Sequence, residues 1–259
     1  MQSFATVNEP LQSRGFLRSA TLLRERVASF TAYPFSLPVI RELETLPFHP
    51  AVTFIVGENG SGKSTLLEAI AIAARFNAEG GSQNFNFSTQ ASHSDLHRCL
   101  RLTRNHRRPR TGFFLRAESF YNVATEIDRL DRIQGLLGSY GGRSLHQQSH
   151  GESFIALLQN RFGPHGLYLL DEPEAALSPT RQMAALVRIH DLVREGSQFI
   201  IATHSPILMA YPDATILAAG PKGLAPVRYE ETEHYTLTRR FLNDPGGMVG
   251  RLLADEPAP

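Results

Sequence analysis

The chain has 259 residues, 42% hydrophobic and 20% charged, a composition that excludes disorder and allows one large folded domain or two small ones. Its formal net charge of +1 supplies no global field, so any contact with nucleic acid needs a local patch. A single cysteine, Cys99, excludes an internal disulfide and suits a reducing compartment, and no apolar run approaches the roughly 20 residues of a membrane span. Met1 to Pro10 lacks the apolar core of a signal peptide, so the expected location is the cytoplasm.

Residues 14–46 read as strands, with loosely alternating apolar and β-branched positions broken by Tyr33-Pro34 and Leu37-Pro38. Ala51 to Val56 reads as a buried parallel strand, followed by a glycine-rich loop and a helix from about Lys63 to Phe76. Residues 77–112 are rich in Asn, Ser, Gly, His and Arg and poor in aliphatics, which predicts an inserted arm. A strand over 112–120, a helix over 121–137, a polar loop to Ser149 and a short helix over 152–162 follow, with 113–162 forming a helical lobe. Strands at 167–171, 198–203 and 215–218 enclose a helix over 179–195, and the tail from Tyr235 reads as helical. Strands alternating with helices predict an α/β fold: a mainly parallel, helix-covered sheet with an antiparallel β portion near the N-terminus. The whole chain, 1–259, reads as one domain.

Gly57-Glu58-Asn59-Gly60-Ser61-Gly62-Lys63-Ser64-Thr65 fits G-x-x-x-x-G-K-[ST], with a strand entering and a helix leaving. The glycines let successive backbone N–H groups turn toward phosphate oxygens, Lys63 adds a full charge at the β- and γ-phosphates, and Ser64 offers a hydroxyl to Mg²⁺. The helix that follows points its positive end at the same anion. The ligands implied are ATP and Mg²⁺.

Leu167 to Leu170 is an apolar strand ending in Asp171-Glu172. At the carboxyl end of a parallel sheet, Asp171 can hold Mg²⁺ and Glu172 can orient or deprotonate the attacking water. A second buried strand, Gln198 to Ala202, ends in Thr203-His204-Ser205-Pro206. His204 can reach the γ-phosphate while Ser205-Pro206 starts a helix. Phe30, Tyr33 and Phe35 are candidates to stack on adenine, or core residues.

A phosphate loop, then Ser149-His150-Gly151-Glu152, then Asp171-Glu172-Pro173, then His204, resembles the ATPase heads of the ABC superfamily. The resemblance implies a P-loop NTPase fold with a signature loop of Ser-Gly-Gly-Gln type, which binds the γ-phosphate held by the opposite subunit. Ser149 and Gly151 match its first and third positions; His150 and Glu152 depart from it. It also implies an ATP-dependent, head-to-tail homodimer, with Glu174 to Pro179 as the loop crossing the interface. The wording Asp-Glu-Pro-Glu-Ala-Ala-Leu-Ser-Pro, followed by Ile-Ala-Thr-His-Ser-Pro, is similar to soluble AAA-type members: RecF-like, SMC-like and overcoming-lysogenization-type proteins. The family's loop glutamine has no clean match, with Glu118, Gln83 and Gln90 as stand-ins. The stretch between Lys63 and Ser149 is too short for a long coiled coil.

His93, His97, Arg98, Arg101, Arg104, His106, Arg107, Arg108 and Arg110 concentrate positive charge over 93–110. That arm can track a nucleic-acid backbone, dock an acidic partner or simply be solvated. The leading expectation is a soluble ATP hydrolase that couples head-to-tail dimerisation to nucleic-acid maintenance or anti-phage defence, working with a separate effector protein. The alternatives are the nucleotide-binding subunit of a transporter, against which the helix after Ser149 lacks an arginine-rich pattern, and a nucleotide switch for a partner nuclease.

Overall fold

The computed structural model describes residues 15–82, 94–118, 120–134, 138 and 142–254. In chain order the strands are β1 (Leu17–Leu22), β2 (Thr45–Pro47), β3 (Val52–Val56), β4 (Leu100–Arg104), β5 (Thr111–Arg116), β6 (Gly166–Asp171), β7 (Gln198–Ala202), β8 (Thr215–Gly220) and β9 (Gly223–Pro226). The helices are α1 (Pro38–Arg41), α2 (Lys63–Ala73), α3 (Phe120–Gln134), α4 (His150–Asn160), α5 (Pro179–Arg194), α6 (Pro206–Met209), α7 (Glu233–Asn243) and α8 (Pro245–Leu253).

The main sheet runs β5-β6-β7-β3-β8-β9 and is parallel except for the β8–β9 pair. Its central strands are buried on both faces, and their side chains alternate between two cores. Phe54, Tyr168, Leu170, Phe199 and Ile201 pack with α3, α4 and α5 on one side. Ile55, Leu167, Leu169, Ile200 and Ala202 pack with α2 on the other. A smaller antiparallel sheet, β2-β1-β4, closes that second core, so α2 is buried between two sheets. This explains why α2 is apolar on most of its circumference (Leu66, Leu67, Ala69, Ile70 and Ala71 are all buried). Gln198 ties the sheets together. Fully buried, it accepts from the N–H groups of Phe16 and Leu17 and donates to the carbonyls of Leu17 and His49.

The antiparallel portion expected near the N-terminus is smaller than residues 14–46: only β1 and the start of β2 are strand, and α1 and turns fill the rest. The third strand comes from the stretch read as a projecting arm. In its described part, Leu96, Cys99 and Leu100 are buried against α2, and β4 pairs antiparallel with β1. Thus 94–104 is core and sheet, with exposed Arg101 between buried Leu100 and half-buried Leu102. Gln83, Gln90 and His93 lie outside the described residues. The segment 113–116 belongs to β5 in the main sheet, so the helices on that side begin only at α3. No residue of α7 or α8 is buried, and Leu237, Leu242, Leu252 and Leu253 are exposed. Among the described residues no helix is long and apolar enough to cross a membrane.

Candidate active site

The loop between β3 and α2 has the backbone that its glycines predict. Gly62 sits at φ 95°, and a Cβ there would lie 2.6 Å from Val39 Cγ1, so the position excludes any side chain. Gly57 is also left-handed, at φ 143°. Glu58, Asn59 and Gly60 form the exposed tip, while Ser61, Ser64 and Thr65 are half-buried. Lys63 is 3% exposed and curls back to donate to the carbonyls of Gly57 (2.9 Å) and Glu58 (2.8 Å). Burial pulls the Lys63 pKa down, opposed by the charges of Glu172, Asp171 and Glu174. The tip opens on a cleft of about 630 Å³ whose other wall includes Ala219, Thr232 and His234.

Asp171 and Glu172 lie at the carboxyl end of β6, but not on the strand beside β3. β7 lies between them, pairing Asp171 with Ala202 and Ala202 with Ile55. That spacing places His204, just past β7, between the phosphate loop and the acidic pair. Asp171 is buried, its carboxylate faces the Ser64 hydroxyl, and burial raises its pKa to about 6. Glu172 has a left-handed backbone (φ 50°, ψ 51°) and starts the turn Pro173–Ala176. Its Oε1 lies 3.5 Å from His204 Nε2. Glu174, whose pKa burial raises, accepts from the His204 backbone N–H, and the Ser205 hydroxyl caps α6. Burial and the Lys63 charge lower the His204 pKa.

Arg116, at the end of β5, joins this cluster by pairing with Glu68 of α2, with Glu118 at 3.4 Å and, more loosely, with Asp171 at 4.0 Å. Glu118 is thus near the acidic pair, but its side chain is 85% exposed and bound to Arg116. Of the aromatic candidates, Tyr33 is exposed with its hydroxyl 3.1 Å from Thr65 Oγ1, whereas Phe30 is covered by Arg24. Sequence reasoning missed Arg116 and His234; nothing local marks either, because strand order and the return of α7 bring them in.

Ser149 caps α4 in a reciprocal capping box. Its side chain accepts from Glu152 N–H, and the Glu152 carboxylate accepts from Ser149 N–H (3.0 Å) and from its hydroxyl (2.8 Å). Arg181 of α5 reaches both, at 3.5 Å from Ser149 Oγ and 3.4 Å from Glu152 Oε1. Gly151 is buried under it: a Cβ would lie 2.4 Å from Arg181 Nη1. The structure does not bring Ser149 to its own phosphate loop; its hydrogen-bond partners are on α4 and α5.

Among the described residues, several buried polar atoms that lack a hydrogen-bond partner gather here: Ser61 Oγ, Asp171 Oδ1, Glu174 Oε2 and His204 Nε2. Unpaired buried polar atoms are costly and rare. Together with a hydroxyl facing a carboxylate, they fit a ligand of phosphate oxygens and a hard divalent cation.

Fold and site together define a P-loop nucleotide-binding domain. The family model "AAA domain" matches residues 29–129, and "AAA domain, putative AbiEii toxin, Type IV TA system" matches 137–210. In its motif order the chain resembles the ATPase heads of the ABC superfamily. Curated relatives are ABC transporter G family member STR2 of Medicago truncatula (26% identical over 65% of this chain and 26% of that protein) and ABC transporter G family member 22 of Arabidopsis thaliana (28% over 60% and 23%). The chain thus spans about a quarter of the length of these relatives. Similar solved structures include the SMC head domain from Thermotoga maritima (18% identical, 71% of this chain and 93% of that one, TM-score 0.38). A nucleotide-free ATP-binding cassette from an ABC transporter is 17% identical over 93% and 100%, with a TM-score of 0.45.

Proposed function

We propose that the chain works as one ATP-gated unit whose heads meet head to tail, each closing the other's ATP, and that hydrolysis reopens them. The observation that carries this is the capped N-terminus of α4. Ser149 and the adjacent N–H groups form an anion site whose partners are Glu152 and Arg181, not residues of the chain's own phosphate loop. It has a use if a second copy presents a γ-phosphate there, displacing the Glu152 carboxylate toward Arg181.

In this reading Lys63 exchanges the Gly57 and Glu58 carbonyls for the β- and γ-phosphates. The loop from Gly57 to Thr65 wraps the phosphates with backbone N–H groups, and Tyr33 stands beside Thr65 for adenine. Ser64 and Asp171 would hold Mg²⁺, which when bound neutralises phosphate charge. Glu172 orients the attacking water and takes its proton, and His204 donates to the γ-phosphate.

The coupled work is nucleic-acid maintenance or defence, together with a separate effector protein. Two features support it: the second family model carries a toxin–antitoxin description, and Arg104 stands near Arg75 and Arg108, each lowering its pKa after burial does. Like charges held together favour a polyanion. The named relatives favour a second reading, a transporter subunit. Two observations tell them apart: co-purification with a membrane protein, and salt-dependent binding of duplex DNA.

The test is light scattering of Glu172→Gln with and without Mg-ATP, repeated with a labelled duplex. The expected result is a monomer that becomes a dimer only with ATP and then binds the duplex. A variant that hydrolyses ATP at the wild-type rate and never dimerises overturns the reading.

A further inference from the structure

His234, the second residue of α7, places its ring against His204. Its Nε2 is 3.0 Å from His204 Nδ1, and the rings meet edge-on with centroids 5.1 Å apart. Burial is the main cause that lowers both pKa values, and the Lys63 charge lowers both further. Two neutral imidazoles at this distance share one proton, so one ring donates and the other accepts. What faces the far side of His204 decides which. His204 Nε2 looks onto Glu172 Oε1 at 3.5 Å. An N–H there points a donor at a carboxylate; a bare lone pair would meet it with like charge. His204 therefore carries its proton on Nε2 and accepts at Nδ1 from the Nε2–H of His234.

We propose that His234 is a positioning residue of the ATP site: its hydrogen bond holds the His204 ring and its Nε2–H tautomer, so that His204 presents a donor to the γ-phosphate. The charged groups around the pair are Lys63 of α2, Glu172 after β6, Glu58 of the phosphate loop and Glu233 of α7. The C-terminal α7 thereby completes a site otherwise built from β3, β6 and β7. This rests on the reading of His204 as the γ-phosphate donor.

The experiment compares steady-state ATP hydrolysis by the full chain and by His204→Ala, His234→Ala and His234→Gln, with ¹⁵N-histidine NMR of the His204 tautomer. The expected result is that His204→Ala and His234→Ala each lower kcat about tenfold with little change in KM. His234→Gln, whose amide N–H can replace the donor, recovers most of kcat, and His204 loses its Nε2–H signature only in His234→Ala. A slow His204→Ala beside a wild-type His234→Ala overturns the role of His234 alone. A wild-type His204→Ala overturns the reading of His204 and this inference with it. A rise in KM at constant kcat in His234→Ala also overturns it, since His234 would then bind nucleotide directly. The same holds if His234→Gln is as slow as His234→Ala with the tautomer unchanged.

Discussion

A carboxylate as buried as Asp171, with one oxygen unpartnered, opposes folding whenever it is ionised. Burial raises its pKa from 3.8 to about 6. Between those values the folded chain holds a proton that the unfolded chain has released, so metal-free protein loses stability as pH rises through the window and levels off above it. Asp171→Asn carries no such group. In chelator, its melting temperature relative to wild type should climb from pH about 4 to about 6, by the equivalent of at most about 3 kcal/mol, while ATP hydrolysis is lost. A constant difference across that window refutes the account. Glu172 next to it holds a left-handed backbone, a conformation that costs a non-glycine residue on the order of 1–3 kcal/mol. The placement of Asp171 and Glu172 at the end of a buried strand was legible because an apolar strand ending in acids is a local pattern. The strain at Glu172 and the pairing of Arg116 were not, since both depend on what the neighbouring strand and helix present.

Helix α4 is capped by the residue that the proposed function assigns to the partner's phosphate. Ser149→Ala should cost about 1 kcal/mol through the lost cap, too little to unfold the chain. In the Glu172→Gln background it should also abolish the ATP-dependent dimer. Ser149→Thr keeps a hydroxyl and a cap and should retain both properties. If Ser149→Ala dimerises normally, its role is capping alone. The existence of α4 was readable, but it starts at His150 rather than at the expected Glu152, because the Ser149–Glu152 capping box sets its first turn. β4 was not: Leu100 and Leu102 are spaced among arginines in a polar-looking stretch, and their partners lie on distant β1. α2 was legible at its start, from the glycine loop, but its burial on nearly every side reflects the second sheet packed over it.

Across the whole molecule, two cores share one sheet, and the alternating side chains of β3, β6 and β7 serve both. The parallel order was legible from strands alternating with helices; the insertion of β7 between β3 and β6, which puts His204 at the centre of the site, was not, because strand order is set by packing. The two C-terminal helices stand outside both cores and bury no residue of their own. Segments of this kind open by local unfolding long before the core does. In native-state hydrogen exchange the amides of α7 and α8 should therefore lose protection with a far smaller opening free energy than those of β3, β6 and β7. Because His234 travels with α7, each opening also removes a side chain from beside His204. On heating, ATPase activity should then fall at temperatures where the circular dichroism of the core is still native; if activity and core are lost together, α7 opens only when the whole molecule does.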